Sequence, residues 1–390
     1  MRWIPLFLLA LSPFRLAALE VRVYPADVVY AYEAEPGRGL YTVVLQNVGI
    51  VQRGEGGPVT LDSLEIQAVT QGQTLQTVVV PAADLDKSAQ RLKGMEAQGL
   101  LKAYDFYFQT SRFLDDGIHM AASRKLDPQT AVLVTGKPLL LVGMPDQLAI
   151  TVHGRDEKGK AVEARSTLKV QAYKSANEYI FPVAGTWYVG GSPSLESHHR
   201  WVVNEEFALD LVTLGGSGQT RKGDGAKLDD YYCYGKDIVA VADGVVVETA
   251  ADAVEANDRL RQRGESAEDF MKRTVVEQNK LLVRGYKVPL GNFIVIQHAG
   301  GEYSDYAHLR QGSVKVKAGD KVTRGQVIAQ VGHTGNTTEP HLHFQLTDGP
   351  DPMYSRGLPI VFSNTKIEGL DEFEGRQLQN GLIVTTTQRK

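Results

Sequence analysis

The chain has 390 residues, room for two or three domains at about 150 residues each. Its 42 Lys and Arg against 46 Asp and Glu give a formal net charge of −4, which lacks the basic excess that nucleic-acid binding requires. Hydrophobic residues at 43% and charged residues at 23% suit globular domains with real cores, and a single cysteine excludes an internal disulfide and a cysteine-based structural zinc site.

Met1-Arg2, the apolar run Trp3 to Phe14 and the small pair Ala17-Ala18 have the layout of a signal peptide over 1–18. The run is shorter than the ~20 residues that cross a bilayer, and no later segment is apolar enough. An exported protein, periplasmic or extracellular and without a membrane span, is expected. Cys233 is then an unpaired thiol in an oxidising space, expected to be buried.

Residues 19–176 read as a β-sandwich-like domain. Short β-branched runs (Leu40 to Leu45, Thr74 to Val80, Ala131 to Val134, Leu148 to Val152, Ser166 to Gln171) alternate with Gly, Pro, Asp and Asn. Ala83 to Tyr104 is helix-prone. His119 and His153 are lone histidines and read as solvated or core. Residues 177–194, rich in Gly, Pro and Ser, read as a linker. The second unit, 195–364, holds His198, His199, His298, His308, His333, His341 and His343 of the nine histidines. Ala242-Asp243-Gly244 suggests a hairpin turn between Ile238–Val241 and Val245–Val247, and Asn292–Gln297 with Glu302–Leu309 suggests another. This unit is expected to be mostly antiparallel β. Residues 250–284 carry apolar residues at roughly helical spacing and are expected to form a helical insertion on one edge of the sheet, more a surface hairpin than a lid. Residues 365–390 read as a polar tail.

The chemistry-bearing residues lie on strands. In Pro340-His341-Leu342-His343-Phe344, residues two apart share a face, so two imidazoles sit together while Leu342 and Phe344 face a core. The Gly- and Thr-rich stretch from Gly332 to Glu339 leads into this strand. Tyr306-Ala307-His308-Leu309 offers a third strand-borne histidine. Asp210 in Phe207-Ala208-Leu209-Asp210-Leu211 is a carboxylate inside an apolar run. Imidazole and carboxylate together are zinc chemistry, and a catalytic zinc needs about three protein ligands plus an open position. His298 reads as surface or turn, and His333, outside the metal-ligand pattern, as part of a loop rather than a substrate contact. Tyr306 is expected on the same side as His308, in a packing role or donating to substrate.

From about Phe181 to Phe362 the ordered series of these motifs, with Gly291 to His298, Val316 to Gly335 and Gly357-Leu358-Pro359, resembles the lysostaphin-type (LytM-like) zinc metalloendopeptidases. These enzymes cut peptide bonds in bacterial peptidoglycan. The resemblance implies an antiparallel β domain, zinc as cofactor and a peptidoglycan peptide as substrate. It implies Asp210 and His343 as metal ligands, and His308 and His341 as the non-ligand histidines of catalysis. The family's first ligand, a histidine four residues before the aspartate, is replaced here by Glu206. Three readings follow: Glu206 ligates, His198 or His199 takes the role, or the site is incomplete and the domain binds cell wall or regulates another hydrolase. Val316 to Gly332 also resembles a lipoyl-type half-barrel, but lacks the acceptor lysine of a carrier.

Overall fold

A computed structural model describes residues 19–386 except 36, 55, 256 and 370–375. The expected signal peptide, 1–18, lies outside the described residues. The chain is mainly β, as its alternating runs predict.

The N-terminal region packs two sheets on one core. One orders Leu19–Tyr24, Leu40–Gln52, Thr130–Val142 and His119–Met120, with Tyr32–Glu35 beside the second of these. The other orders Val28–Tyr30, Ala161–Gln171, Gln147–Asp156, Val59–Thr70 and Gln73–Pro81, with Lys125–Leu126 beside Val59–Thr70. Alternation drives the packing: Leu148, Ile150 and Val152 are buried, as are Leu64, Ile66 and Ala68 one strand over. They share a core with Val43, Leu45, Val48 and Ile50 of the first sheet. Between Gln73–Pro81 and His119–Met120 the chain leaves the sheets as the helix Ala82–Ala97 and three single turns ending at Phe113. Leu85, Ala89 and Leu92 form the buried stripe of that helix.

The C-terminal region is built on a ten-stranded sheet. Its order is Lys321–Val322, Gly244–Ala250, Asn292–Gln297, Tyr303–Leu309, Leu342–Thr347, Leu209–Val212, Thr186–Gly191, Ile383–Thr386 and Thr365–Ile367, with Gly357–Leu358 beside Leu342–Thr347. Every pairing in it is antiparallel. Leu209, Leu211, Ile294, Ile296, Leu342, Phe344 and Leu346 form its core with Trp187 and Tyr306.

Four features differ from the sequence reading. The presumed linker 177–194 contains Thr186–Gly191, and the presumed tail contributes Thr365–Ile367 and Ile383–Thr386, all strands of this sheet. Each is short, but Trp187, Val189, Ile367 and Val384 point inward, so pairing and burial hold them. Asp237–Val239 does not pair with Gly244–Ala250. It pairs with Val327–Gln330 in a separate two-stranded sheet. Asp243 stands at the crossover, accepting from the Arg324 N–H on its carboxylate (2.7 Å) and contacting His298 through its carbonyl (2.8 Å). Among the described residues, the insertion between Gly244–Ala250 and Asn292–Gln297 holds one α-helix, Ala267–Arg284, with short 3-10 turns on either side, rather than a helical hairpin, and the two strands it joins are paired neighbours. Ser266 caps it by accepting from the Asp269 N–H (3.0 Å).

Candidate metal centre

Two neighbouring strands supply the centre of the site. In Leu209–Val212 the two leucines are buried and Asp210 takes the opposite face. In Leu342–Thr347, Leu342 and Phe344 enter the core and His343 takes that same opposite face. Asp210 and His343 are direct cross-strand partners, and Ala307 is the partner of His343 on its other side. Strict alternation from Ala307 would turn His308 into the core. His308 instead has φ 61°, a left-handed conformation rare outside glycine, which breaks the alternation and returns the ring to the site. This also corrects the placement of Tyr306. Its ring is in the core, and its hydroxyl accepts from the Val241 N–H (2.9 Å) and from Ser304 (3.2 Å).

Three imidazoles face the Asp210 carboxylate. His343 Nδ1 lies 3.1 Å and His341 Nε2 3.5 Å from Oδ1, and His199 Nε2 lies 3.3 Å from Oδ2. One ligand atom from each of His198, His199 and Asp210 falls within 4.8 Å of the others. His198 and His199 belong to a 3-10 turn, His198–Trp201. Gly191, opposite Asp210 in the sheet, leaves room for this approach: a Cβ there would stand 2.8 Å from Asp210 Oδ2 and 3.0 Å from His199 Cε1. His308 and His341 stack obliquely, with ring centroids 4.8 Å apart, and His308 is 5.9 Å from the His343 ring.

Glu206 is not part of this cluster. Its carboxylate is buried and receives a hydrogen bond from the buried Arg200 guanidinium (2.6 Å). A buried carboxylate needs a partner, and the cation rather than a metal meets that need. The histidine of the upstream turn, His199, occupies the place beside Asp210.

Burial and neighbouring charge set the protonation states. Burial resists charge on Asp210, but His199, His341 and His343 hold its carboxyl well below the usual value. Burial also opposes charge on His343, yet its hydrogen bond and charge attraction to Asp210 lift it to about 9. Burial lowers His199 to about 4. His308 falls well below its ordinary value through burial and the neighbouring His341 and His343. His308 Nδ1 lies 2.9 Å from the Thr334 carbonyl and His341 Nδ1 2.8 Å from the Glu339 carbonyl. A ring nitrogen donates to a carbonyl oxygen, so in the neutral form of each ring Nε2 carries the lone pair. His343 Nε2 is 3.1 Å from Gln345 Oε1. Gln345 in turn donates to Pro352 (2.9 Å) and to the buried Asp305 (3.4 Å). Burial pushes Asp305 up to about 8.

These donors fit a metal. Imidazole and carboxylate around a point that a side chain at Gly191 would obstruct are the donor types of zinc. The cluster opens on a cavity of about 670 Å³, lined by His308, His341 and Asp210 below. Tyr104, Phe106 and Tyr107 of the N-terminal region and Thr274 and Gln278 of the inserted helix form further walls. Phe106 packs with Leu290, Phe293 and Met353, and Tyr104 donates to Asn279. The inserted helix therefore contributes to the cleft rather than only to the surface. Composition gave no hint of this aromatic wall. Gln345 was findable as the next same-face residue after His343.

The remaining singled-out residues stand apart from the cleft chemistry. His298, read as surface or turn, stands at the turn after Asn292–Gln297 and is buried there, with its ring nitrogens 2.8 Å from the Asp243 carbonyl and 2.7 Å from Ser304. His333 is buried, and desolvation lowers it to about 3. Cys233 is buried, its thiol donating to the Pro340 carbonyl (3.0 Å) and pushed up to about 12 by burial. His119 and His153 are partly or fully solvated beside Glu96 and Glu163.

Residues 273–354 match peptidase family M23. The chain is similar to the peptidoglycan DD-endopeptidase ShyA of Vibrio cholerae serotype O1, 48% identical over 56 residues, covering 14% of this chain and 13% of ShyA. It is 46% identical over 75 residues to ShyB of the same organism (19% and 17% covered). It is 40% identical over 70 residues to the DD-carboxypeptidase/endopeptidase Mpg of Neisseria meningitidis serogroup B (18% and 16%). The similarity thus spans under a fifth of these relatives. Among solved structures, the catalytic domain of lysostaphin from Staphylococcus simulans is 19% identical, covering 45% of this chain and 88% of that one, with a TM-score of 0.24, too low to add to the fold described above. The matched segment carries His308, His341 and His343, set on the antiparallel sheet that brings them to Asp210, so the similarity to peptidase family M23 falls on the part of the chain that holds these histidines.

Proposed function

We propose that the chain is an exported zinc-dependent endopeptidase that hydrolyses peptide bonds of peptidoglycan. The observation that supports this most is the convergence of His199, His341 and His343 on one carboxylate, Asp210, beside His308 and at the floor of a solvent-connected cleft. His199, Asp210 and His343 would hold the metal, with His198 adjacent. A bound zinc supplies polarisation of the scissile carbonyl and a water of lowered pKa.

The chain's own residues do the rest. His308, kept neutral by burial and with Nδ1 engaged by Thr334, presents Nε2 as a base for the water's proton. His341, held by Glu339 and Thr337, aims Nε2 at the same space, where once protonated it stabilises the developing oxyanion or serves the leaving amine. Gln345 and Asp305 fix the His343 ring. The walls from Tyr104 to Tyr107 and from the inserted helix confine an extended peptide to the cleft and exclude water around it. The N-terminal region thereby positions substrate as well as limiting access. Among the described residues no helix is long and apolar enough to cross a membrane.

Metal analysis of the purified protein, paired with digestion of purified sacculi, tests this function. About one zinc per chain and release of muropeptides sensitive to a chelator is the expected result. Absence of both would leave a non-catalytic cell-wall domain as the better description.

A further inference from the structure

Adjacent residues of the 198–201 turn reach in opposite directions. His199 approaches Asp210 (3.3 Å), while Arg200 donates to Glu206 (2.6 Å), four residues before Asp210. Arg200 is fully buried; its guanidinium lies over the Phe207 ring (5.1 Å) on the C-terminal side and over the Tyr32 ring (5.7 Å) of the N-terminal domain, where its further hydrogen bonds lie. Its guanidinium donates to the Thr42 carbonyl (3.1 Å), and its own carbonyl accepts from the Gln46 side chain (2.8 Å). Both partners are on strand Leu40–Gln52 and are buried. The next residue, Trp201, is pressed against Gly136 of strand Thr130–Val142, where a Cβ would meet the indole at 3.2 Å. A short 3-10 turn has little stiffness of its own. The groups that hold this one at the distance His199 needs are therefore Glu206 on one side and the N-terminal sandwich on the other.

We propose that Arg200 is a positioning residue for the metal ligand His199, and that the N-terminal domain completes the metal site by gripping Arg200 through Thr42 and Gln46. This rests on the ligand set proposed above. It also gives Glu206 its role: it anchors the cation that carries the ligand turn. Metal affinity and domain docking are then coupled, because zinc binding favours the docked arrangement by as much as docking favours zinc binding.

The test uses the full chain and measures zinc affinity by competition with a chromophoric chelator, with the absorption spectrum of the Co²⁺ form as a second readout. The proteins are wild type, His199→Ala, Gln46→Ala and the charge-neutral pair Arg200→Met/Glu206→Leu. Outer residues that orient metal ligands affect affinity by about 10–100-fold. His199→Ala and the double variant are expected to weaken zinc by about tenfold or more, and Gln46→Ala by several-fold, with an altered Co²⁺ spectrum. Gln46→Ala is expected to add nothing in the His199→Ala background. A purely structural role would lower the melting temperature of the metal-free protein and leave affinity and spectrum at wild-type values, and that result overturns the inference. If the double variant fails to fold, Gln46→Ala alone decides. A wild-type protein that binds no zinc would instead overturn the parent reading, which keeps the two failures distinct.

Discussion

Asp210 and His343 sit directly opposite each other on adjacent antiparallel strands, with Oδ1 and Nδ1 3.1 Å apart. The flanking Leu209, Leu211, Leu342 and Phe344 all point into the core. The distance between carboxylate and imidazole is therefore set by strand register and the hydrophobic core beneath it. A slip of one residue in either strand would turn that strand's group inward and part the pair.

His308→Ala should reduce muropeptide release from sacculi by about 10²–10⁴-fold, the range for loss of a general base. Zinc content should stay at the wild-type level, because His308 faces the cleft beside the ligands rather than Asp210 itself. Loss of zinc in this variant would argue that His308 is a ligand.

Gln345→Leu removes the acceptor for His343 Nε2, so zinc affinity should fall by about 10–100-fold, while Gln345→Glu, which still accepts, should retain most of it. Chelator competition on both variants decides between them. Equal losses would mean that the packing of the amide matters and its oxygen does not.

Gly191→Ala places a methyl group against Asp210 Oδ2 and His199 Cε1. Gly191 ends its strand just after a register irregularity and has no positive φ, so a side chain adds no backbone strain and the damage should be local. Zinc binding is expected to weaken by at least about tenfold, with the melting temperature of the metal-free protein nearly unchanged. A large fall in that temperature would place the strain in the sheet.

Asp305→Asn addresses pH. Burial holds the Asp305 carboxyl at about 8 in the folded chain, against an ordinary value of 3.8. Below the ordinary value both states are protonated and nothing is lost. As pH rises from there to about 8 the unfolded chain ionises and the folded chain does not, so wild-type stability falls. Replacement by Asn removes that ionisation. The variant should melt progressively higher than wild type between pH 5 and 8, and the gap should close near pH 4. Thermal melts across this range check it, and a gap independent of pH would mean that Asp305 is ionised when folded.

Most of the site was readable because it lies on strands. The alternation in Leu209-Asp210-Leu211 and His341-Leu342-His343 identifies both the inward leucines and the outward donors. Reading failed where the backbone leaves that period. Tyr306 and His308 part company at a positive φ that no local residue type announces. His199 was only one of three candidates, because a 3-10 turn positions it and sequence spacing to Asp210 carries no geometric meaning there. Glu206 stood at the expected spacing, but its side chain follows the nearest buried cation, and Arg200 is a tertiary neighbour. The strands Thr186–Gly191, Thr365–Ile367 and Ile383–Thr386 escaped notice for a related reason. They are brief, and their order comes from partners distant in the chain.

The outermost of those additions bear on how the protein can be divided. Thr186–Gly191, which carries the glycine beside the Asp210 carboxylate, is covered on its far side by Ile383–Thr386. Any fragment trimmed to the recognisable 273–354 stretch would omit Asp210 and His199 altogether. One that restored them but stopped at Phe362 would leave a bare row of amide and carbonyl groups one strand from Asp210, open to pairing with another molecule. Such a product should self-associate on purification.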